Sequence, residues 1–140
     1  MIANKVTDDI SVAPQITVED VAAIAAAGFR SIVCNRPDGE SSGQAAVDDV
    51  KAAAEAQGLS FSYQPVLSGR MSIEDVQAFK TLYEAAPKPI LAYCRSGTRC
   101  AFLWAFSQAG NMATGDILAA TAAAGYDLSG MAPALERIGK

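Results

Sequence analysis

The chain contains no histidine. That absence removes Cys–His and Ser–His–Asp arrangements, in which an imidazole takes the nucleophile's proton, so any nucleophile here must be activated by its own loop. It also removes the commonest metal ligand, and neither a metal nor a cofactor is expected. Charge is sparse: 11 Lys and Arg stand against 15 Asp and Glu, a net −4 with no basic block, which argues against nucleic acid as a partner. No apolar run is long enough to span a bilayer, and residues 1–9 lack the apolar stretch of a signal peptide. A cytoplasmic protein with no membrane partner is therefore expected. The cysteines number three, an odd count that suits free or reactive thiols better than a disulfide framework.

What is present points to one domain over residues 1–140, since 51% of the residues are hydrophobic and the length suffices for a single core. Residues 8–14 alternate and end at Pro14, which predicts a short first strand at a sheet edge. Thr17 and Asp20 have the spacing of a capping box for a helix that stops at Gly28. Residues 31–35 read as a buried strand, followed by the polar loop Arg36-Pro37-Asp38-Gly39-Glu40-Ser41-Ser42-Gly43. A second helix is predicted over 44–57 and a strand over 59–63. Ser72 is a candidate N-cap, with Asp75 three residues on, for a helix over 73–86. Helices are also predicted over 101–106, over 116–124 and after Pro133. Strands alternate with helices, so the expected fold is α/β: a three-layer sandwich with a central, mainly parallel sheet of four to five strands. Ligands of such sheets bind beyond the carboxyl ends of the strands. That rule brings together the loops 35–43, 66–71 and 94–99.

The last of these loops carries the chemistry. Ile90-Leu91-Ala92-Tyr93 reads as a buried strand, and Cys94-Arg95-Ser96-Gly97-Thr98-Arg99 turns from it into an apolar helix. A strand, a Gly-containing loop and a helix N-terminus form an anion cradle, because backbone N–H groups and the helix dipole face inward. A cysteine at its mouth is favoured as thiolate. Cys94 is therefore the candidate nucleophile and Arg99 the planar fork for an oxyanion, with Arg95, Ser96, Gly97 and Thr98 as further substrate contacts. Arg36 either lines the pocket or pairs with Glu40 at the surface. Cys34 lies within a strand and reads as core, Trp104 as packing, and Tyr126-Asp127 as a turn.

The order of parts resembles the cysteine-based phosphatase superfamily, and more narrowly the phosphatase-like domain of bacterial beta-lactamase-hydrolase-like proteins. The segments that carry the likeness are residues 11–16, 26–30, 35–40, 92–99 and 123–128. The resemblance implies a fold like that of protein-tyrosine and dual-specificity phosphatases. It also implies a link to sulfide metabolism, with a persulfide dioxygenase as partner. Two departures bear on the chemistry. Four residues separate Cys94 from Arg99 where those phosphatases have five, a spacing similar to rhodanese-type sulfurtransferases. Ser68 stands where such phosphatases usually carry an Asp general acid, which leaves Asp38, otherwise a turn residue, as the nearest substitute.

These departures lead to the expectation of a cysteine-dependent sulfurtransferase. Cys94 would take sulfane sulfur from thiosulfate or glutathione persulfide as a persulfide and pass it to a thiol acceptor. The alternative is a phosphatase that forms a phosphocysteine on Cys94, with Asp38 as acid and base. A third reading is a non-catalytic anion-binding or redox-sensing module, in which Cys100 resolves an oxidised Cys94.

Overall fold

The computed structural model describes residues 1–139. Its centre is a five-stranded sheet made of β1 (Asn4–Thr7), β2 (Ile10–Ala13), β3 (Ser31–Cys34), β4 (Ser60–Tyr63) and β5 (Ile90–Tyr93), in the order β1-β2-β5-β3-β4. β1 runs antiparallel to β2, and the other pairs are parallel. The sheet is thus mixed, with one antiparallel edge strand.

The first strand was expected at an edge and is not there. All four residues of β2 are buried, between β5 and a preceding strand, β1, that the sequence pattern did not reveal. The physical reason is that Pro14 lies just after the ladder and removes no hydrogen bond from it, so it does not exclude β2 from the interior.

Side-chain alternation along the strands sorts the two faces. Ile10, Val12, Val33, Ile90 and Ala92 pack on one side against α3 (Ile73–Ala85), α4 (Thr98–Ser107), α5 (Thr114–Ala123) and α6 (Ala132–Ile138). Ala13, Ile32, Cys34, Leu91 and Tyr93 pack on the other against α1 (Asp20–Ala26) and α2 (Val47–Ala56). The result is three layers around two cores.

The helix starts follow from local chemistry. Ser72 accepts a hydrogen bond from the Asp75 N–H at 3.2 Å, and the Asp75 carboxylate accepts one from the Ser72 N–H at 2.9 Å. Thr17 and Asp20, the first residue of α1, exchange the same pair of bonds. Among the described residues no helix is long and apolar enough to cross a membrane.

Candidate active site

Alternation places the nucleophile. Cys94 follows β5 with the parity of Ile90 and Ala92, so its side chain continues onto the α3/α4 face and meets the N-terminus of α4. The chain gets there through Gly97, whose φ of +94° lies in the left-handed region that costs glycine no Cβ clash. That turn aims the Gly97 N–H at the Cys94 Sγ, 3.0 Å away. The loop is also tied to the end of β2, where the Cys94 N–H donates to the Ala13 carbonyl and the Gln15 N–H to the Arg95 carbonyl, both at 3.3 Å.

The surroundings of Cys94 favour its anion. The Cys100 thiol beside it is the strongest influence, and the backbone N–H groups of Cys100, Gly97 and Arg99 add to it against the cost of burial; together they bring the Cys94 thiol down to about 5. Cys100 itself is fully buried, and burial together with the neighbouring thiolate pushes it well up, so it stays a protonated donor. Cys34, Cys94 and Cys100 are all free thiols.

Arg99 is held from two sides. Its Nη1 donates to Glu40 Oε2 at 2.8 Å and to the Val66 carbonyl at 2.9 Å, and its Nη2 donates to Glu40 Oε1 at 2.8 Å. Guanidinium carries five N–H donors. These bonds use both protons of Nη1 and one of Nη2. Among the described residues, the Nε–H and the second Nη2 proton are left, and they share one edge of the plane as a fork for an oxyanion. Glu40 in turn is fixed by Arg36, whose Nε donates to Oε1 at 2.8 Å. The Arg99 hydrogen bonds, with help from Arg36, hold the Glu40 carboxyl down at about 2.

The expected site residues do not all gather at the cradle. Arg95, Ser96, Thr98 and Arg99 line a cavity of about 370 Å³ together with Ser68, Gly69, Met71 and Phe102. Arg36, Glu40 and Ser41 complete an adjoining hollow. Arg36 is 4% exposed and gives donors to Glu40, Gln15 and Ser41, so it builds the Glu40 support from inside, not at the surface. Asp38 is elsewhere: its carboxylate accepts from the Val47 N–H at 2.9 Å and caps the start of α2. That commitment to a helix end is the physical reason it does not face the cradle as an acid. Ser68 does line the cavity at the position where a carboxylate was missed. Glu40 and Tyr126 are among the residues the sequence reading did not assign to the site. Both lie in segments that carry the family likeness, but only the fold shows what they touch.

Comparison with known proteins bears on this geometry. Residues 3–111 match the family model of the beta-lactamase hydrolase-like protein, phosphatase-like domain. A beta-lactamase hydrolase-like protein of Agrobacterium fabrum is 32% identical over 139 residues, which cover 98% of this chain and 32% of that protein. The chain therefore spans about a third of the length of the curated relatives it matches. The crystal structure of a candidate phosphatase of Neisseria meningitidis superposes with a TM-score of 0.84 at 36% identity, over 96% of each chain. Tk-PTP in its active form shares the fold, with a TM-score of 0.71 at 13% identity over 98% of this chain and 95% of its own.

These findings overturn the sulfurtransferase expected from the Cys94–Arg99 spacing, and with it the assignment to sulfide metabolism. The family model and the Neisseria structure are both phosphatase-like. The expectation rested on two local departures, the four-residue spacing and Ser68 in the place of an acid, and neither outweighs a family match that runs over residues 3–111.

Proposed function

The chain belongs to the family of the beta-lactamase hydrolase-like protein, phosphatase-like domain, and from that premise we propose that it hydrolyses phosphoric monoesters through a phosphocysteine on Cys94. The observation that carries this reading is the alignment of three features. The Cys94 thiol is held at about 5, the Gly97 N–H lies 3.0 Å from its sulfur, and Arg99, with its Nε/Nη2 edge unused by Glu40 and Val66, ends the same loop. At neutral pH the sulfur is an anion ready to attack phosphorus. The non-bridging oxygens take the loop N–H groups and the Nε/Nη2 edge of Arg99, which stabilise the charge that spreads over them in the transition state. An S–P bond forms as the P–O bond to the leaving group breaks. Water then attacks phosphorus, and the S–P bond breaks to return thiolate and inorganic phosphate.

The leaving oxygen meets no carboxylic acid. Ser68 stands where one would serve, Glu40 is ionised and bonded to Arg99, and Asp38 caps α2. A hydroxyl is a poor acid near neutral pH, so the departing group must leave as an anion or take its proton from water. The substrate class that follows is phosphate esters with good leaving groups, such as aryl phosphates, and Met71 and Phe102 offer apolar wall to the ester group.

The test is intact-mass analysis of the chain quenched during turnover of para-nitrophenyl phosphate, followed by rates across aryl phosphates of graded leaving-group acidity. A phosphoryl adduct that is absent from Cys94→Ser, with rates that climb steeply as the leaving group becomes more acidic, is expected. Turnover by Cys94→Ser would remove the reading. A flat series would mean that an acid assists after all.

A further inference from the structure

We propose that Tyr126 is a positioning residue, one that fixes the plane of the Ser96–Gly97 peptide so that its N–H faces the nucleophile. The Tyr126 hydroxyl donates to the Ser96 carbonyl at 2.9 Å. The Gly97 N–H, 3.0 Å from the Cys94 Sγ, belongs to the same peptide unit. In a planar trans peptide the C=O and N–H point in opposite directions. Holding the oxygen outward with a phenol therefore holds the N–H inward, toward sulfur.

Independent contacts make this a built arrangement. The Asn4 side-chain amide donates to the Tyr126 oxygen at 3.1 Å, which leaves the phenol proton for the Ser96 carbonyl. Burial pushes the phenol up, so it remains a donor. Gly97 is needed for a second reason beyond its φ: a Cβ there would overlap the Tyr126 hydroxyl and stand 2.9 Å from the ring Cζ. Gly125, at φ +99°, ends α5 and turns the chain so that Tyr126 reaches back over the loop. The clamp thus joins β1 and the turn after α5 to a loop that β2 anchors only at its start.

The inference rests on Cys94 as the nucleophile and holds whatever group Cys94 attacks. The titratable and charged groups around Cys94 are Cys100 and Arg99 of α4 and Tyr126 itself, with Glu40 behind Arg99 and Cys34 of β3 on the other face of the sheet. Of these, Tyr126→Phe alters only the clamp. In the full chain, the rate of iodoacetamide alkylation at Cys94, located by peptide mass, is followed against pH alongside thermal unfolding. Tyr126→Phe is expected to move the acid limb of that profile up by roughly one pH unit, the size expected for loss of one well-aimed hydrogen bond to a charged group. Asn4→Ala, which keeps the phenol but frees it to turn, moves the limb in the same direction by less. On para-nitrophenyl phosphate, kcat at a pH below the shifted limb falls more than KM rises. An unchanged alkylation profile in Tyr126→Phe, whatever its melting temperature, overturns the clamp and leaves Tyr126 with packing alone. If Asn4→Ala folds and Tyr126→Phe does not, the Asn4→Ala profile decides in the same way. Alkylation needs no phosphate chemistry, so failure of the phosphatase reading shows as absent turnover with the alkylation result intact.

Discussion

Cys34 and Cys94 occupy nearly the same place in the fold and have opposite chemistry. Each lies at the carboxyl end of one of two adjacent parallel strands; Cys34 pairs with Tyr93, one residue before Cys94. Both are buried, at 1% and 0% exposure. One position of register puts them on opposite faces of the sheet. Cys34 meets a carbonyl, that of Arg36, to which its thiol donates at 3.2 Å, and burial pushes it up. Cys94 lies beside a second thiol, receives the Gly97 N–H at 3.0 Å and meets the positive end of α4, and is brought down to about 5. The strand end does not make a reactive cysteine. The polarity of the backbone groups that converge on the sulfur does.

The comparison can be broken most severely at the anion fork that only the Cys94 side possesses. Arg99→Lys replaces a planar, two-edged donor with a point charge that cannot hold Glu40, Val66 and a phosphoryl oxygen edge at once. The expected loss in kcat/KM on an aryl phosphate is on the order of 10²–10³-fold, the usual cost of removing a transition-state oxyanion donor. Retention of activity would mean that the anion is held by the loop N–H groups alone.

A smaller effect sharpens the difference between the two thiols. Cys100→Ala removes the largest influence that lowers Cys94, so the acid limb of its alkylation profile should rise from near pH 5 by about one to two units. The sign is fixed: loss of a donor to the thiolate favours the protonated form and shifts the limb to higher pH. Cys100→Ser restores a donor and should recover most of the shift. Cys34 should stay unreactive until the chain unfolds in every variant. An equal shift in the Ala and Ser variants would show that packing, not the donated proton, is what Cys100 supplies.

The smallest effect is expected at the β3 end. Asp38→Ala should leave aryl phosphate turnover near that of the parent while lowering thermal stability by about 1 kcal/mol, the usual cost of a lost helix cap. Thermal unfolding and steady-state rates on one sample separate the two. A large fall in turnover at unchanged stability would return Asp38 to the chemistry.

Much of the cradle was legible along the chain because its parts are contiguous. Cys94 to Arg99, the strand before them and the helix after them lie within one short stretch. The capping pairs Thr17–Asp20 and Ser72–Asp75 were legible for the same reason, being three residues apart. Asp38 was harder to place, since its partner Val47 lies nine residues on and belongs to a helix whose start carries no capping side chain of its own. The transfer chemistry was misread because two local departures, the four-residue spacing and Ser68, were given more weight than a likeness that runs along most of the chain.

By itself, the sequence determined the alternation of strands and helices, the absence of an imidazole base and the run of Cys94 to Arg99 between β5 and α4. Each of these depends on residues within a few positions of one another, where backbone geometry and side-chain type suffice. Only the tertiary structure decided that Glu40 holds Arg99 across 59 residues, that Asn4 and Tyr126 meet across 122, and that Cys94 and Cys34 face opposite layers. Those contacts depend on strand order and register, which are set by the burial of both faces of the sheet and leave no periodic trace in the chain.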